Sequence, residues 1–365
     1  MIEIGAIRDL LITLLGCYLC TWAHTPRPAR ALGSLDMSHP AGSLVGNRSF
    51  ALRVPSVRHQ RRGLTMKAKS MLQPFQYQGS KRLIAPIIIQ KLHLSSSSEL
   101  VEPFAGSAAV SVRAAIERLA GSYWINDKNK PLSDLWCAIV EDPNRLVHEY
   151  SELWHAQKSD PKGFYSAVRD RFNEHHYPAD LLYLLSRAVK GAVRYNSMGH
   201  FNQSPDNRRL GTQPHILAKR ISTISDALRG RTRITSIDYR AMPELYEQGQ
   251  VWYMDPPYQG VSSTRDSRYS CTVTRSEFEC FLGVLIDMRV PFVLSYDGQT
   301  GAKTYGPPLP SELGLHRIQL DAGRSTSATL LGRTERTTEV LYISPNLIGR
   351  AFHQESGAGQ LVLIP

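Results

Sequence analysis

The stretch at residues 99–127 reads ELVEPFAGSAAVSVRAAIERLAGSYWIND. It starts with a short strand pattern, Glu99–Val101, which leads into a turn with a glycine, Glu102–Ser107. A run of small residues that permits a helix follows, Ala108–Leu119, and then a second strand pattern, Tyr123–Asp127. A strand, a glycine-bearing turn, a helix and a strand that ends in an acid form a βαβ pattern. The stretch therefore predicts an α/β fold.

Strand and helix patterns alternate in much of the remaining chain. Helices are predicted at Arg82–Leu92 and Ser276–Met288, where apolar residues follow a helical period. Further strands are predicted at Arg233–Ile237, Val251–Met254, Pro291–Ser295, His316–Leu320 and Glu339–Ser344. We therefore predict one α/β domain made of residues 72–129 and 231–345.

Two regions of the chain depart from this alternation. Residues 130–230 are mostly helical in period and show few strand signals. We predict that they form a mainly helical insertion with a small core of its own. Residues 346–365 show no periodic pattern and are predicted to be a loose C-terminal tail.

The N-terminal region differs in composition from the rest of the chain. Residues 1–70 carry ten Lys and Arg residues against three acids, within a chain whose net charge is +11. The overall charge is therefore weak evidence that the body of the protein binds a polyanion. An apolar run at residues 10–23 is too short to span a membrane. We predict that residues 1–65 are a disordered extension, with Met66 or Met71 as the functional start. A targeting or membrane-tethering segment is the alternative.

The composition excludes several classes of protein. With 42% hydrophobic and 21% charged residues, the chain is not collagen-like, mucin-like or wholly disordered. Five cysteines in 365 residues exclude a disulfide scaffold. Cys17 and Cys20 form an isolated CxxC pair, and the remaining Cys and His residues show no metal-ligand spacing. We therefore predict no metal site.

The most specific motif is Asp255-Pro256-Pro257-Tyr258, directly after the predicted strand Val251–Met254. Ligands of α/β sheets bind outside the carboxyl ends of the strands. Asp255 offers an acceptor there, the proline pair presents carbonyls in a restricted conformation, and Tyr258 offers a flat ring. This combination suits a planar substrate that carries an amine. A proline-rich turn with an aspartate cap is the alternative.

Three further strand ends carry weaker signals. Gly106 in the turn after the first strand lets a ligand approach the backbone, or serves packing alone. Asp127, at the end of the second strand, is placed to accept from ribose hydroxyls or to cap a helix. Asp238 and Tyr239 follow the third strand, where they would bracket an adenine or form an Asx turn. Together with Asp255–Tyr258, these motifs lie in chain order at successive strand ends, and the joint occurrence of all four, rather than any one alone, favours a functional site.

Together these motifs resemble the Dam-like class of DNA adenine-N6 methyltransferases over roughly residues 72–345. The loop Gln76–Lys81 resembles the N-terminal GxK element of that class, and Glu102–Ala108 resembles its FxGxG element with Ala108 in place of the last glycine. Residues 187–202 resemble its RxNxxGxFN stretch, which lies in the target-recognition insertion. The resemblance implies a Rossmann-like S-adenosylmethionine-dependent methyltransferase fold with a mixed central sheet, in which residues 130–230 recognise the target.

The resemblance also implies roles for individual residues. Catalysis is assigned to Asp255, Pro256, Pro257 and Tyr258. Contacts with S-adenosylmethionine are assigned to Tyr77, Gly79, Lys81, Glu102, Pro103, Phe104, Gly106, Asp127, Asp238 and Tyr239. Contacts with DNA are implied for Arg187 and Asn196 by the resemblance to the RxNxxGxFN stretch. They are also predicted for Arg194, Arg208 and Arg209, because these lie in or beside a polar loop of the insertion. Arg208 and Arg209 are predicted to bind phosphates, whereas Arg194 either reads a base or supports the fold.

The predicted reaction is transfer of a methyl group from S-adenosylmethionine to the N6 amine of an adenine flipped out of duplex DNA. Asp255 and the Pro256 carbonyl would accept the two amine hydrogens, and Tyr258 would stack on the base. Methylation of an RNA base or a protein amide, and an inactive DNA-binding homologue, are the alternatives. A cognate restriction endonuclease in a restriction-modification system is a possible genetic partner. A cytoplasmic, nucleoid-associated location is expected, with no stable membrane partner unless the N-terminal apolar run is a tether.

Overall fold

The computed structural model describes residues 72–257, 274–300, 303–304, 306–324 and 336–348. The predicted N-terminal extension, the CxxC pair and Tyr258 lie outside the described residues. The predictions made for them therefore stay predictions. Among the described residues, no helix combines the length and the apolar character that crossing a bilayer requires.

The described strands join into one mixed sheet. They are β1 Glu99–Glu102, β2 Ser122–Asn126, β3 Thr232–Thr235, β4 Gln250–Met254, β5 Phe292–Ser295, β6 Gln299–Thr300, β7 Lys303–Thr304, β8 His316–Arg324 and β9 Arg336–Ile343. Their order is β3-β2-β1-β4-β5-β9-β6-β7, and β8 also pairs with β9. Strands β1 to β5 are parallel to one another, whereas β9 runs antiparallel to β5. This arrangement is a Rossmann-like α/β fold with a mixed central sheet, as the sequence predicts.

The chain order reverses direction in the middle of the sheet. From β1 the chain moves outward through β2 to β3, and it then returns to place β4 on the other side of β1. Such a switch point leaves a crevice at the carboxyl ends of the two central strands, where ligands of α/β proteins bind. The central strands β1 and β4 end at Glu102 and Met254, and Asp255 follows directly.

Eight α-helices are described. They are α1 Ala85–Leu92, α2 Ala109–Glu117, α3 Lys130–Glu141, α4 Pro143–Ala156, α5 Pro161–His175, α6 Pro178–Arg187, α7 Pro214–Leu228 and α8 Arg275–Asp287. Four of them begin with proline, whose fixed φ and missing N–H suit the first helical position. Asp142 and Asp160 cap α4 and α5 by accepting from backbone N–H groups. The capping box of Thr274 and Glu277 starts α8.

Side chains of the central strands alternate between two apolar clusters, one on each face of the sheet. Leu100, Val251 and Tyr253 face the cluster that includes α1 and α2. Val101 and Trp252 face the other cluster, which includes α8. This alternation is the period-2 pattern of strands covered on both faces. It explains why β4 is an uninterrupted apolar run in the sequence.

The helical segment at residues 130–230 does not have the separate core that its period suggested. Its buried aromatic residues, among them Trp136, Tyr150 and Phe172, belong to the same cluster as Leu100 and Tyr123 of the sheet. Helix α3 packs on β3, and α7 packs on α2, which covers β1 and β2. The prediction of a separate core is therefore wrong, since these helices continue the layer that covers one face of the sheet.

The C-terminal boundary of the folded domain also differs from the prediction. Leu347 is fully buried in the cluster that contains α1, and Ile348 packs against that cluster. Ser344 supports this end of the chain, since its hydroxyl accepts from the backbone N–H of Phe292 at 2.9 Å. A tail that begins at residue 346 is therefore wrong. The fold extends at least to Ile348.

Candidate active site

Parallel strands bring three polar side chains to one edge of the sheet. Glu102 is the last residue of β1, Asn126 is the last residue of β2, and Asp255 follows β4. The register places Glu102 opposite Ile125 and Val101 opposite Trp252. The carboxyl ends of the three strands therefore meet, as the motif positions predict.

Gly106 forms the turn after β1 in a conformation that favours glycine. Its φ is +50°, and a Cβ at this position would lie 2.8 Å from Cε1 of Tyr77. Its N–H donates to Oδ2 of Asp127 at 2.9 Å, and its carbonyl accepts from Nε1 of Trp136 at 2.9 Å. The turn, the end of β2 and helix α3 are thus tied together at one residue.

The loop before α1 is anchored to the helical segment through a second glycine. The N–H of Gln78 donates to the carbonyl of Gly191 at 3.0 Å. Gly191 has a φ of +62°, and a Cβ there would lie 2.5 Å from the carbonyl carbon and oxygen of Gln76. Ser80 accepts from Ser107 at 2.9 Å and so joins this loop to the turn after β1.

This anchoring yields a testable prediction about Gly191. We expect Gly191→Ala to lower the free energy of unfolding by at least about 2 kcal/mol, because the methyl group meets backbone that cannot rotate away. Gly230→Ala is the matched control: Gly230 has a φ of +72° and nothing within 4 Å of its added Cβ. Urea unfolding of both variants measures the difference. Equal losses would show that Gly191 serves only its own backbone conformation.

Lys81 brings a buried positive charge onto Asp255. Its Nζ lies 2.8 Å from each carboxylate oxygen of Asp255, 3.3 Å from the carbonyl of Gly79 and 4.0 Å from Oε2 of Glu339. The side chains of Lys81 and Asp255 are 7% and 22% exposed. Screening by water is weak at such exposure, so the pair is held more firmly than a surface salt bridge. Lys81 was predicted as a cofactor contact, whereas the structure places its ammonium group on the predicted catalytic acid.

Glu102 is a second acid in this cluster, and it is buried. Its Oε1 accepts from the backbone N–H of Ser111 at 2.5 Å. Burial raises the pKa of Glu102 from an ordinary 4.5 to about 7, the hydrogen bonds from Ser111 oppose this shift, and the negative charge of Asp255 adds to it. Glu102 therefore exchanges a proton near neutral pH.

Asn126 ties three strand ends together, and the sequence motifs did not reveal it. Its amide nitrogen donates to the carbonyls of Pro103 and Ile237 at 2.9 and 3.0 Å, while its Oδ1 accepts from Thr235 and from the Ile237 N–H. The side chain is fully buried. The sequence did contain one signal. Asn126 comes directly after the apolar residues Tyr123–Ile125, and an amide at the end of a buried strand needs hydrogen-bond partners within the protein.

Two further predicted cofactor acids, Asp127 and Asp238, make contacts within the protein. Asp127 accepts from Gly106 and from the N–H of Asn129 at 2.9 Å, and burial raises its pKa. Asp238 accepts from Arg240 and Lys128, and these cations lower its pKa. It also caps a short 3₁₀ helix by accepting from the N–H of Arg240, so the Asx turn proposed as the alternative is present. A carboxylate has about four acceptor positions. Two are used in Asp127, which leaves capacity for a ligand, whereas Lys128 and Arg240 use all four in Asp238, so a ligand there would have to displace one of these contacts.

Tyr239 and Phe104 belong to the wall of the site. Their ring centroids lie 5.0 Å apart, and Tyr239 also packs edge-on against Phe281 at 4.9 Å. Tyr239 is 5% exposed. The two rings therefore join the turn after β1 to the segment after β3, which shapes the crevice beside Asp238.

Residues 194–202 form a hairpin at the surface of the helical segment. Asn196 and His200 pair through the backbone at 2.8 Å, and Oδ1 of Asn196 accepts from the N–H groups of Met198 and His200. At the base of the hairpin, the hydroxyl of Tyr195 contacts the side chain of Asn129 at 3.1 Å. A cavity of about 370 Å³ opens between the hairpin, the start of α3 and His176. The predicted DNA contact Asn196 thus shapes the hairpin tip with its own side chain.

Arg187 lies inside the helical segment, which contradicts a direct contact with DNA. It is 1% exposed, its guanidinium donates to the Oε1 of buried Gln157, and it lies 5.9 Å from the rings of Tyr165 and Tyr183. A buried guanidinium needs such partners. The apolar run Leu181–Leu185 just before Arg187 already indicates a helix that is buried on most faces.

Arg208 and Arg209 are exposed but share one acid. Both guanidinium groups donate to the carboxylate of Asp206 at 2.9 to 3.1 Å. The side chains of Arg208 and Arg209 are 73% and 55% exposed, whereas Asp206 is 5% exposed. Hydrogen bonds from Arg208 lower the pKa of Asp206. The group keeps a net positive charge with both arginines turned to solvent.

The family of the chain follows from comparison with known proteins. A family model for the D12 class of N6 adenine-specific DNA methyltransferases matches residues 77–297. The chain belongs to this family. The match starts at Tyr77 in the loop before α1 and ends at Asp297 after β5, so it covers every strand end described above.

Three curated relatives of this D12 chain support the assignment. The chain is 29% identical to the retron Ec67 DNA adenine methylase of Escherichia coli over 49% of this chain and 64% of that protein. It is 26% identical to the DNA N-6-adenine-methyltransferase of Escherichia phage P1 over 47% of this chain and 22% of that protein. It is 26% identical to the type II methyltransferase M.MjaIII of Methanocaldococcus jannaschii over 48% of this chain and 63% of that protein. The matches span less than two thirds of each relative's length.

Membership of the D12 class gives meaning to Ala108, which replaces the last glycine of the FxGxG element. Ala108 has a φ of +43° and a ψ of 42°, which is the left-handed region, and it is fully buried. The backbone at this position therefore favours glycine, and alanine adopts the same conformation at a cost of roughly 1 kcal/mol. The methyl group of Ala108 is part of the packed core.

Proposed function

We propose that this chain transfers a methyl group from S-adenosylmethionine to the N6 amine of adenine in double-stranded DNA. The observation that carries the proposal is Asp255-Pro256-Pro257 at the end of β4, beside the turn of Gly106 and the acids at the ends of β2 and β3. A family member with this set at one sheet edge is equipped to bind a planar amine next to a nucleotide-like cofactor.

The residues at the sheet edge suit S-adenosylmethionine. Asp127 offers acceptors to hydroxyl groups at the end of β2. Asp238 would accept from an amine group at the end of β3 if the ligand displaced one of its contacts with Lys128 or Arg240. Asp255 and Glu339 lie near a single lysine, and Glu102 interacts electrostatically with Asp255, so acidic groups outnumber the lysine, which favours a cationic ligand. When bound, the cofactor would supply an electrophilic methyl group on a sulfonium centre.

The protein's part in the reaction is to orient the amine. Asp255 and the Pro256 carbonyl would accept its two hydrogens and so turn the nitrogen lone pair toward the methyl donor. Tyr258 would stack on the base and recover about 1–3 kcal/mol of the cost of unstacking it. After transfer, the nitrogen sheds one proton, and Asp255 is the acceptor nearest to it.

The proposal is tested by incubating the full chain and S-adenosylmethionine with plasmid DNA, tRNA and a protein lysate in parallel. Digestion to nucleosides and mass spectrometry should show N6-methyldeoxyadenosine in the plasmid alone. Methylated tRNA or protein would favour another planar amine as substrate. DNA binding without any methyl transfer would identify an inactive homologue. Sequencing of modified bases in the same plasmid would give the recognised sequence, and a restriction site there would support an endonuclease as genetic partner.

We further propose that the polar loop of the helical segment faces DNA, and Arg208 and Arg209 test this. We expect Arg208→Ala and Arg209→Ala each to weaken binding about equally on all sequences and to reduce the salt slope by about 1, because a phosphate contact is lost. In each variant the carboxylate of Asp206 keeps its hydrogen bonds to the remaining arginine. Fluorescence anisotropy with cognate and scrambled duplexes across a salt series measures the effect.

Arg145 provides the matched control for this loop. It is 59% exposed and paired with Glu149 at 2.8 Å, so it is likewise a surface arginine bound to a carboxylate. Arg145→Ala should leave the salt slope unchanged. If Arg208→Ala and Arg209→Ala leave the salt slope of DNA binding unchanged, as Arg145→Ala should, the loop does not contact the phosphate backbone.

A further inference from the structure

The ammonium group of Lys81 lies where the reaction needs an acceptor. Nζ is 2.8 Å from both oxygens of Asp255 and therefore sits in front of the carboxylate. In the proposed reaction an amine hydrogen needs one of these oxygens. An ammonium group at that distance draws charge from the carboxylate and weakens it as an acceptor.

The charge of Lys81 also acts on the methyl transfer itself. In the proposed reaction the methyl donor would carry a positive charge, and this charge would develop on the amine nitrogen that Asp255 holds. A lysine fixed on Asp255 cancels the negative charge that would stabilise it. Electrostatic stabilisation of this kind is a large contribution to catalysis in buried sites. A second acid close to Lys81 would offset the charge of the ammonium group and so restore a net negative charge beside the amine.

Glu339 is placed to supply that acid. It lies on β9 two residues from Leu341, whose partner on β5 is Ser295, so both side chains point to the face that carries Lys81. Its Oε2 is 4.0 Å from Nζ, and its side chain is 15% exposed. The flexible stem of Lys81 reaches hydrogen-bond distance to Glu339 by a small rotation.

We propose that Glu339 is a positioning residue, which offsets the charge of Lys81 and receives its ammonium group when the target amine reaches Asp255. The inference rests on the proposed function, because it assumes that Asp255 binds an amine. No proton or electron is gained in this exchange: one hydrogen bond of Nζ moves from a carboxylate oxygen of Asp255 to one of Glu339.

The first test needs no turnover. S-adenosylmethionine carries a sulfonium cation, whereas S-adenosylhomocysteine has a neutral thioether at the same place. In Glu339→Gln the loss of a negative charge should weaken the first ligand relative to the second by about three- to tenfold. Calorimetry gives both dissociation constants. If Glu339 had only a structural role, the substitution would change the two dissociation constants by the same factor. An unchanged ratio of the two constants would therefore overturn the inference.

Two further variants complete this measurement. Glu339→Asp keeps the charge and should retain the ratio of the wild type, which also covers the case in which the glutamine variant does not fold. Glu244→Gln removes one exposed acid outside the cluster and controls for the total charge of the protein. We expect it to leave the ratio unchanged.

The second test asks whether Glu339 acts through Lys81. Single-turnover methylation is followed over hours, so that slow variants still give a rate. We expect the Glu339→Gln substitution to slow methyl transfer about tenfold when it is made in the wild-type protein. In the Lys81→Met background we expect the same substitution to change the rate less than twofold, because the ammonium group on which Glu339 acts is gone. Equal losses in both backgrounds would contradict the proposal. A wild type that makes no N6-methyldeoxyadenosine contradicts the proposed function instead, and the ligand ratio still tests the charge of Glu339.

Discussion

We expect Asp255→Asn to lower the rate of methyl transfer at least about 100-fold, because the substitution turns an ionised acceptor into a neutral amide at the reacting amine. The side chain keeps its size, so the end of β4 keeps its shape. Binding of S-adenosylhomocysteine should change less than threefold, since this ligand carries no sulfonium charge and most predicted cofactor contacts lie at the ends of β1, β2 and β3 rather than of β4. Single-turnover kinetics and calorimetry on the same preparation measure the two effects.

Asp287→Asn is the control for this prediction. Asp287 ends α8, and it is exposed to solvent. A rate for this variant equal to that of the wild type shows that the loss is specific to Asp255. If Asp255→Asn turns over within tenfold of the wild type, Asp255 does not orient the amine, and the proposed mechanism fails at its first residue.

The sheet could be predicted because its signals are local. The strand patterns that become β1, β2, β4 and β5 are short apolar runs, and each strand observed begins within one residue of its predicted start. Asp255 could be placed at the carboxyl edge because it follows one of these runs directly. Parallel strands then bring Asp255 and Glu102 together without any knowledge of side-chain contacts.

The pair of Lys81 and Asp255 could not be predicted from local signals. The two residues are 174 positions apart, and their contact depends on how the loop before α1 folds back over the sheet. That path is fixed by Gly191, which accepts from Gln78, and by Ser107, which donates to Ser80. No periodic pattern in the sequence encodes such contacts between loops.

The helical segment shows a different limit of sequence reasoning. Its helices were predicted from their period, but a period does not say which surface an apolar face covers. Trp136 packs with the sheet and donates to Gly106, so the segment shares the core of the domain. Arg187 shows the converse error: the family motif indicated a DNA contact, whereas burial makes it part of the packing.

The pH dependence of stability provides the second large effect. Glu102 has a pKa of about 7 in the folded protein against 4.5 in the unfolded chain. Below pH 4.5 both states hold the proton, and the residue contributes no difference. Between these values the unfolded chain releases the proton while the folded protein keeps it, so stability falls as the pH rises. Above pH 7 the full cost of a buried carboxylate remains, which is roughly 3 kcal/mol at most for such a difference in pKa.

We therefore expect Glu102→Gln to be more stable than the wild type at pH 8, by up to roughly 3 kcal/mol, and equally stable at pH 4. The glutamine carbonyl still accepts from the N–H of Ser111, so the hydrogen bond that joins β1 to α2 is retained. Urea unfolding at intervals from pH 4 to pH 8 measures the difference, with exposed Glu247→Gln as the control. A difference that grows from pH 4.5 to 7 and then levels off identifies the buried carboxyl. A constant difference over the whole range would mean that Glu102 binds its proton equally in the folded and unfolded states, so that folding does not raise its pKa.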